Sequence, residues 1–269
     1  MADETDAPPA VLVERRGHVM IITLNRPEAR NAVNLAVHMG VGLALEEAEH
    51  DPEVRAVVIT GAGDLAFCAG ADLKALSRGE KLGPSDPAQQ AWGFAGYVSH
   101  HISKPTIAAV NGAALGGGTE LTLASDLAVA ADSATFGLPE VKRGILAGAG
   151  GAFRLAAQIP PKIAMEILLT GDAISAARAL ELGLVNAVIP RDQVLDAALK
   201  LAERISVNAP LSVQGSKRIA RGVIDGTVPT EAAGWERTRV EGSVIMRSED
   251  AREGPRAFAE KRAPVWQAR

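Results

Sequence analysis

The stretch Asn111–Glu140, NGAALGGGTELTLASDLAVAADSATFGLPE, constrains this chain more than any other. Three consecutive glycines, Gly116 to Gly118, precede Glu120 in an otherwise apolar run, and a second glutamate, Glu140, follows twenty residues later. Glycines in a row let backbone approach a ligand and expose N–H groups. A glutamate flanked by Leu121, Leu123 and Ala124 faces burial, which costs free energy unless the carboxylate is paired or used. A plain helix start, with an acid in its first turn complementing the dipole, accounts for the same residues.

At 269 residues and 47% hydrophobic content, the chain can bury one large α/β core, with or without an appendage. Its 28 basic and 32 acidic residues give a net charge of −4, which argues against nucleic acid or an anionic membrane as partner. A small molecule or a protein is expected instead. The single cysteine, Cys68, cannot form an internal disulfide, so a reducing compartment, the cytoplasm, is expected. No apolar run reaches the ~18 residues that span a bilayer, and the opening MADETDAPPA lacks the charge-then-apolar order of a signal peptide. Residues 1–10 read as a disordered tail. The five histidines show no ligand spacing and have no cysteine partner, so no metal site is expected.

Along the chain, Val11–Glu14 and Val19–Leu24 read as a hairpin turning at Arg15–Gly17. LNRPEARNAVN (24–34) leaves that strand, turns at Pro27 and leads into a helix to about His50, ended by Asp51-Pro52. Val54–Thr60 is a β-branched run suited to a strand covered on both faces. AFCAGADLK (66–74) surrounds Gly70 with small residues and turns helical from Asp72, so the Ala71 N–H is open to a ligand oxygen, unless the loop is merely a packing corner. Cys68 reads as a buried filler with no base beside it. Residues 77–90 read as a surface loop. Trp92, Phe94 and Tyr97 are expected on a helix to Ser103, facing either the core or an apolar ligand pocket. Thr106–Val110 is a short strand. Helices follow at 152–158, 161–169 and 174–182, then a last strand at 185–189. From Arg191 the pattern is helical only, with breaks near Pro210, Gly226–Thr230 and Gly254-Pro255. This is an α/β core with an α appendage. No dinucleotide or Walker-type glycine motif is present.

LNRPEARNAVN, AFCAGADLK, AAVNGAALGGGTELTLASDL and FGLPEVKRGILAGAGG, in this order and spacing, resemble the crotonase, or enoyl-CoA hydratase/isomerase, superfamily. The resemblance spans about Val11 to Arg269 and includes the ending EDAREGPRAFAEKRAPVW. It implies a crotonase-like α/β spiral of ββα units over residues 11–205 and a C-terminal helical segment, 206–269, that builds a homotrimer or a dimer of trimers. It also implies an acyl-CoA thioester as substrate, with coenzyme A belonging to that substrate and no separate cofactor.

By the same resemblance, Ala71 and Gly117 supply the backbone N–H groups of an oxyanion hole, and Glu120 and Glu140 are the catalytic acids. Glu120 would hold and deprotonate water and Glu140 would protonate Cα. Ala29, Ala69, Asp72, Leu73 and Gly116 are implied along the thioester and pantetheine, and Phe258 and Lys261 at the adenine and phosphates. The implied reaction is enoyl-CoA hydration, as in fatty-acid or related β-oxidation. An enoyl-CoA isomerase, needing one acid, and a non-catalytic acyl-CoA-binding scaffold are the alternatives. Where typical relatives carry Pro before Gly-Ala-Gly-Gly this chain has Ala147, and Ala152-Phe153 replaces a common polar pair. These departures, together with the Trp92–Tyr97 aromatics, suggest a bulky or unusual acyl group.

Overall fold

The hairpin that begins the chain sets the edge of the larger of two sheets. In the computed structural model, which describes residues 8–269, β1 (Val11–Arg16) pairs antiparallel with β2 (Val19–Leu24). Arg15 and Arg16 lie within the ladder, so the turn is Gly17-His18 rather than Arg15–Gly17, with Gly17 at φ +58°. Of the expected N-terminal tail, residues 1–7 lie outside the described residues. Pro9 and Ala10 are tethered, their carbonyls accepting hydrogen bonds from the Asn25 side chain and N–H at 2.9 and 2.8 Å.

After helix α1 (Leu35–His50) the chain repeats one path three times. A strand in the larger sheet is followed, after a short corner, by a strand in a smaller one: β3 (Ala56–Gly61) to β4 (Ala66–Cys68), β5 (Thr106–Val110) to β6 (Ala113–Leu115), and β7 (Leu127–Ala131) to β8 (Thr135–Gly137). The larger sheet has the order β1-β2-β3-β5-β7-β10, parallel from β2 onward, with β10 at Ala187–Ile189. The smaller has the order β4-β6-β8-β9, with β9 at Ile174–Ser175. Every residue of β3 and β5 is buried, as expected for strands covered on both faces. This is the mixed α/β spiral the sequence motifs imply.

Asparagine side chains brace the corners where the path switches sheets. Asn111 binds the Gly61 N–H and the Gly61 and Gly63 carbonyls, tying the β5 corner to the β3 corner. The fully buried Asn31 binds the carbonyls of Ala62 and Ala66 and the Arg26 N–H, so the 24–34 loop is locked over the β3–β4 turn.

Between β4 and β5 lie two short helices, α2 (Leu73–Ser77) and α3 (Pro87–Gln90). The helix expected over 92–103 does not form: only Phe94–Gly96 makes a 3-10 turn, because Gly93, Ala95 and Gly96 all hold positive φ, +73°, +60° and +65°. Between β6 and β7 runs α4 (Gly117–Ala124), and past β8 come α5 (Gly151–Gln158), α6 (Pro161–Thr170) and α7 (Ala176–Glu181). The expected 174–182 helix therefore yields its first two residues to β9. Helix α8 (Val194–Ser206) covers the larger sheet, and α9 (Pro210–Arg221), α10 (Ala232–Ile245) and α11 (Glu249–Ala259) complete the chain. Gly254-Pro255 is not a break, since α11 runs through it. Glycine lacks the Cβ that would clash with the proline ring from the preceding position.

Candidate active site

Helix α4 is fixed to the smaller sheet from its first turn. The Thr119 hydroxyl donates to the Ala114 carbonyl at 2.7 Å and accepts from the Gly137 N–H at 3.0 Å, so the helix start is tied to β6 and β8. The three glycines then have separate causes. Gly116 caps the helix at φ +57°, a backbone state that side chains resist. A β-carbon on Gly117 would lie 2.2 Å from the Phe94 ring, and one on Gly118 would lie 2.1 Å from the Cys68 carbonyl oxygen.

Facing this helix start is the loop after β4. Gly70, at φ +89°, packs so closely that a β-carbon there would meet the Leu115 carbonyl at 3.1 Å and the Gly117 nitrogen at 3.3 Å. The next residue, Ala71, therefore borders the same space as Gly117. Among the described residues neither the Ala71 nor the Gly117 N–H has a protein acceptor. Gly117 is the first residue of α4, where N–H groups lack helical partners and the dipole favours negative charge.

One turn into α4, Glu120 is 3% exposed. Its Oε1 accepts from the N–H groups of Ala149 and Gly151, at 2.7 and 2.8 Å, at the start of α5. Burial, and then the Glu140 carboxyl nearby, push Glu120 up to about 8 against those two stabilising N–H bonds. Glu140 sits on the 3-10 turn Pro139–Arg143, its carboxyl over Gly116, and burial pushes it up to about 7. Its Oε2 is buried without a hydrogen-bond partner. Two carboxyls raised in this way hold roughly one proton between them near neutrality, so one is an acid while the other is a base. The two N–H bonds on Glu120 work toward its ionised form, but burial outweighs them and leaves Glu120, at about 8, above Glu140, at about 7.

Both carboxyls line one cavity of ≈ 640 Å³, together with Ala71, Gly116 and Gly117. Four of these five residues, Ala71 excepted, come from the stretch 111–140. Three motifs that lie apart in the sequence thus meet on a single cavity. The family model described as enoyl-CoA hydratase/isomerase matches residues 14–269. The chain belongs to that family. It is 43% identical over 266 residues to the enoyl-CoA hydratase EchA19 of Mycobacterium tuberculosis, covering 97% of each chain. It is 42% identical over 262 residues to a carnitinyl-CoA dehydratase of Salmonella typhi, covering 95% of this chain and 97% of the other. A solved structure of a carnitinyl-CoA hydratase from Mycobacterium avium superposes with a TM-score of 0.95 at 63% identity, covering 98% of this chain and 100% of that one.

This family enzyme gathers some of the expected substrate-binding residues on the cavity and leaves others off it. Ala69, Leu73, Gly116 and Phe258 line it. Ala29, Asp72 and Lys261 do not. The Asp72 carboxylate is committed to capping α2 at the Ala75 N–H and to Arg26, 2.9 Å away. Burial works to raise it, and against that these partners hold it below the usual carboxylate range. Lys261 is exposed, in the turn after α11, and Ala29 is half-buried in the 3-10 turn behind the wall. Of the three aromatics expected to face either the core or a ligand pocket, only Phe94 lines the cavity. Trp92 stacks on His100 at 5.0 Å, and the Tyr97 hydroxyl bonds Ser125 inside the core. Ala147 and Phe153 do not line it either.

Sequence reasoning missed Arg30, Arg143, Leu146 and Trp235, all on the cavity wall. Arg143 lies over the Phe258 ring at 4.1 Å, an association across α11 that no local motif announces. Cys68 is fully buried, and desolvation pushes its thiol up to about 12, which leaves it inert.

Proposed function

We propose that this enzyme adds water across the 2,3 double bond of a trans-2-enoyl-CoA to give a 3-hydroxyacyl-CoA. What carries the reading is the convergence of two raised carboxyls, Glu120 and Glu140, on the cavity that the Ala71 and Gly117 N–H groups border. The thioester carbonyl accepts from those two N–H groups. As water attacks Cβ, charge moves onto that carbonyl oxygen, where one preorganised donor is typically worth ~2.7 to 4 kcal/mol. In the protonation state of the pair with Glu120 ionised and Glu140 neutral, Glu120, held by Ala149 and Gly151, takes the proton of the attacking water, and Glu140 delivers its proton to Cα. The pair then stands with its protonation reversed, and exchange with solvent resets it. Dehydration is the same path run backward.

Around this chemistry, Ala69 and Leu73 line the thioester arm, and Arg30 and Arg143 offer positive charge to the phosphates of coenzyme A, with Phe258 beside them. The exposed apolar side chains of Leu211, Ile219 and Met246 on and after the C-terminal helices support packing against further copies of the chain, as in a trimer. A place in acyl-chain β-oxidation follows from the product class.

A second reading is favoured by the relatives named carnitinyl-CoA dehydratase or hydratase: the same pair would act on an acyl group bearing a quaternary ammonium. The test incubates the protein with crotonyl-CoA, a trans-3-enoyl-CoA and carnitinyl-CoA and identifies products by mass. A water adduct of crotonyl-CoA supports the first reading. Water loss confined to carnitinyl-CoA supports the second. Bond migration without mass gain would overturn both in favour of an isomerase.

A further inference from the structure

We propose that Trp235 sets the length of the acyl group this enzyme accepts, as the partition between the catalytic cavity and a second cavity behind it. The proposal rests on the hydration reading for its substrate class. The catalytic cavity, ≈ 640 Å³, and the second, ≈ 490 Å³, share two lining residues, Val98 and Trp235. Val98 is 3% exposed and comes from the segment after the Phe94 turn, whereas Trp235 comes from the first turn of α10. The two come from segments far apart in the sequence and close the space where an acyl chain running past Glu120 would continue. The wall they make is apolar, so it receives a hydrocarbon end.

The indole is held in place from several sides. A β-carbon on Gly234 would stand 2.7 Å from the Phe153 ring, so α10 is pressed against α5 at the residue before Trp235. Phe153 meets the indole edge-on, with ring centroids 5.0 Å apart at 76°. The Arg154 guanidinium lies 5.2 Å from the indole centroid, and it binds both carboxylate oxygens of Glu231, one turn before Trp235, at 2.9 and 2.6 Å. Those ion-pair side chains are only 7% and 18% exposed. Helix α5, which carries Phe153 and Arg154, also presents the Gly151 N–H to Glu120. The partition is therefore built on the same element as the catalytic carboxylate, at a fixed distance from the reacting carbons. The departure at Phe153 acts here, through Trp235, and not by lining the cavity itself.

Behind the partition, the second cavity is mixed: Leu45, Tyr97 and Ile102 give it apolar wall beside Val98, and His100, His101, Arg221 and the ion-paired Asp126 and Lys217 give it polar wall farther on. With the indole in place a compact acyl group fills the available space; without it a long chain continues past Val98. The test compares kcat/KM for crotonyl-CoA and trans-2-decenoyl-CoA in the full-length protein, in Trp235→Ala and in Trp235→Phe. The wild type should favour crotonyl-CoA. Trp235→Ala should raise the decenoyl-to-crotonyl ratio by about tenfold or more, the scale on which a pocket discriminates methylenes, with Trp235→Phe between. Should Trp235→Ala fail to fold, Trp235→Phe and Val98→Ala, at the other edge of the partition, carry the comparison. An unchanged ratio with hydration intact, or a wild type that already prefers decenoyl-CoA, would overturn the role of Trp235. Absence of any water adduct in the wild type would instead overturn the hydration reading.

Discussion

Replacing Glu120 by Gln should cripple turnover and stabilise the fold, and both effects come from the same burial. The amide oxygen of Gln can keep the N–H bonds from Ala149 and Gly151, so the site retains its shape. Burial raises the Glu120 carboxyl from its ordinary 4.5 to about 8. A raised carboxyl contributes stability that is complete below 4.5 and is lost as pH rises through 8, because the unfolded chain ionises first. At ~1.4 kcal/mol per pH unit, wild-type protein at pH 7 gives up about 3 kcal/mol that the neutral Gln does not. At pH 5 the same difference is below about 1 kcal/mol. Urea unfolding of both proteins at these two pH values, at matched concentration, measures it. Hydration should meanwhile fall by about 10²- to 10⁴-fold with the loss of the base. A Gln variant no more stable than wild type at pH 7 would refute the claim that Glu120 is held against its own preference.

Other consequences can be checked in the same preparations. The pH profile of kcat/KM should be a bell, falling below about 7 where both carboxyls are protonated and above about 8 where both are ionised, and Glu140→Gln should abolish the bell along with most activity. Gly117→Ala, whose new methyl would strike the Phe94 ring, should displace an oxyanion donor and lower kcat by about 10²- to 10³-fold without loss of the fold, as followed by far-UV circular dichroism. Arg154→Met leaves the half-buried Glu231 without its partner and should destabilise the protein by up to about 3 kcal/mol in urea unfolding. Cys68 should resist iodoacetamide in the native protein and react only in denaturant.

The parts of the site legible in the sequence are those in which local chemistry is out of character with its surroundings. A glutamate amid leucines, glycines in succession and small residues around Gly70 each signal a cost that something must offset. The strands were legible because β3 and β5 are buried on both faces and read as continuous apolar runs. The Trp92–Tyr97 segment misled because its aromatic spacing suits a helix, while three residues held at positive φ forbid one. Pro255 misled in the opposite sense, since the glycine before it removes the usual clash and α11 continues. Trp235 was invisible for a different reason. Its partners are Phe153 and Arg154 on α5, and nothing within a few residues of it shows that it reaches the cavity.

The central claim, that Glu120 and Glu140 together deliver the elements of water, is tested most directly by isotope tracing. Crotonyl-CoA is incubated with the protein in ¹⁸O-labelled water and, separately, in heavy water, and the product is read by mass spectrometry and proton NMR. The account predicts one ¹⁸O at Cβ and one deuterium at Cα, with both labels lost in Glu120→Gln and Glu140→Gln. Deuterium exchange without ¹⁸O incorporation, or label uptake undiminished in either variant, would contradict it.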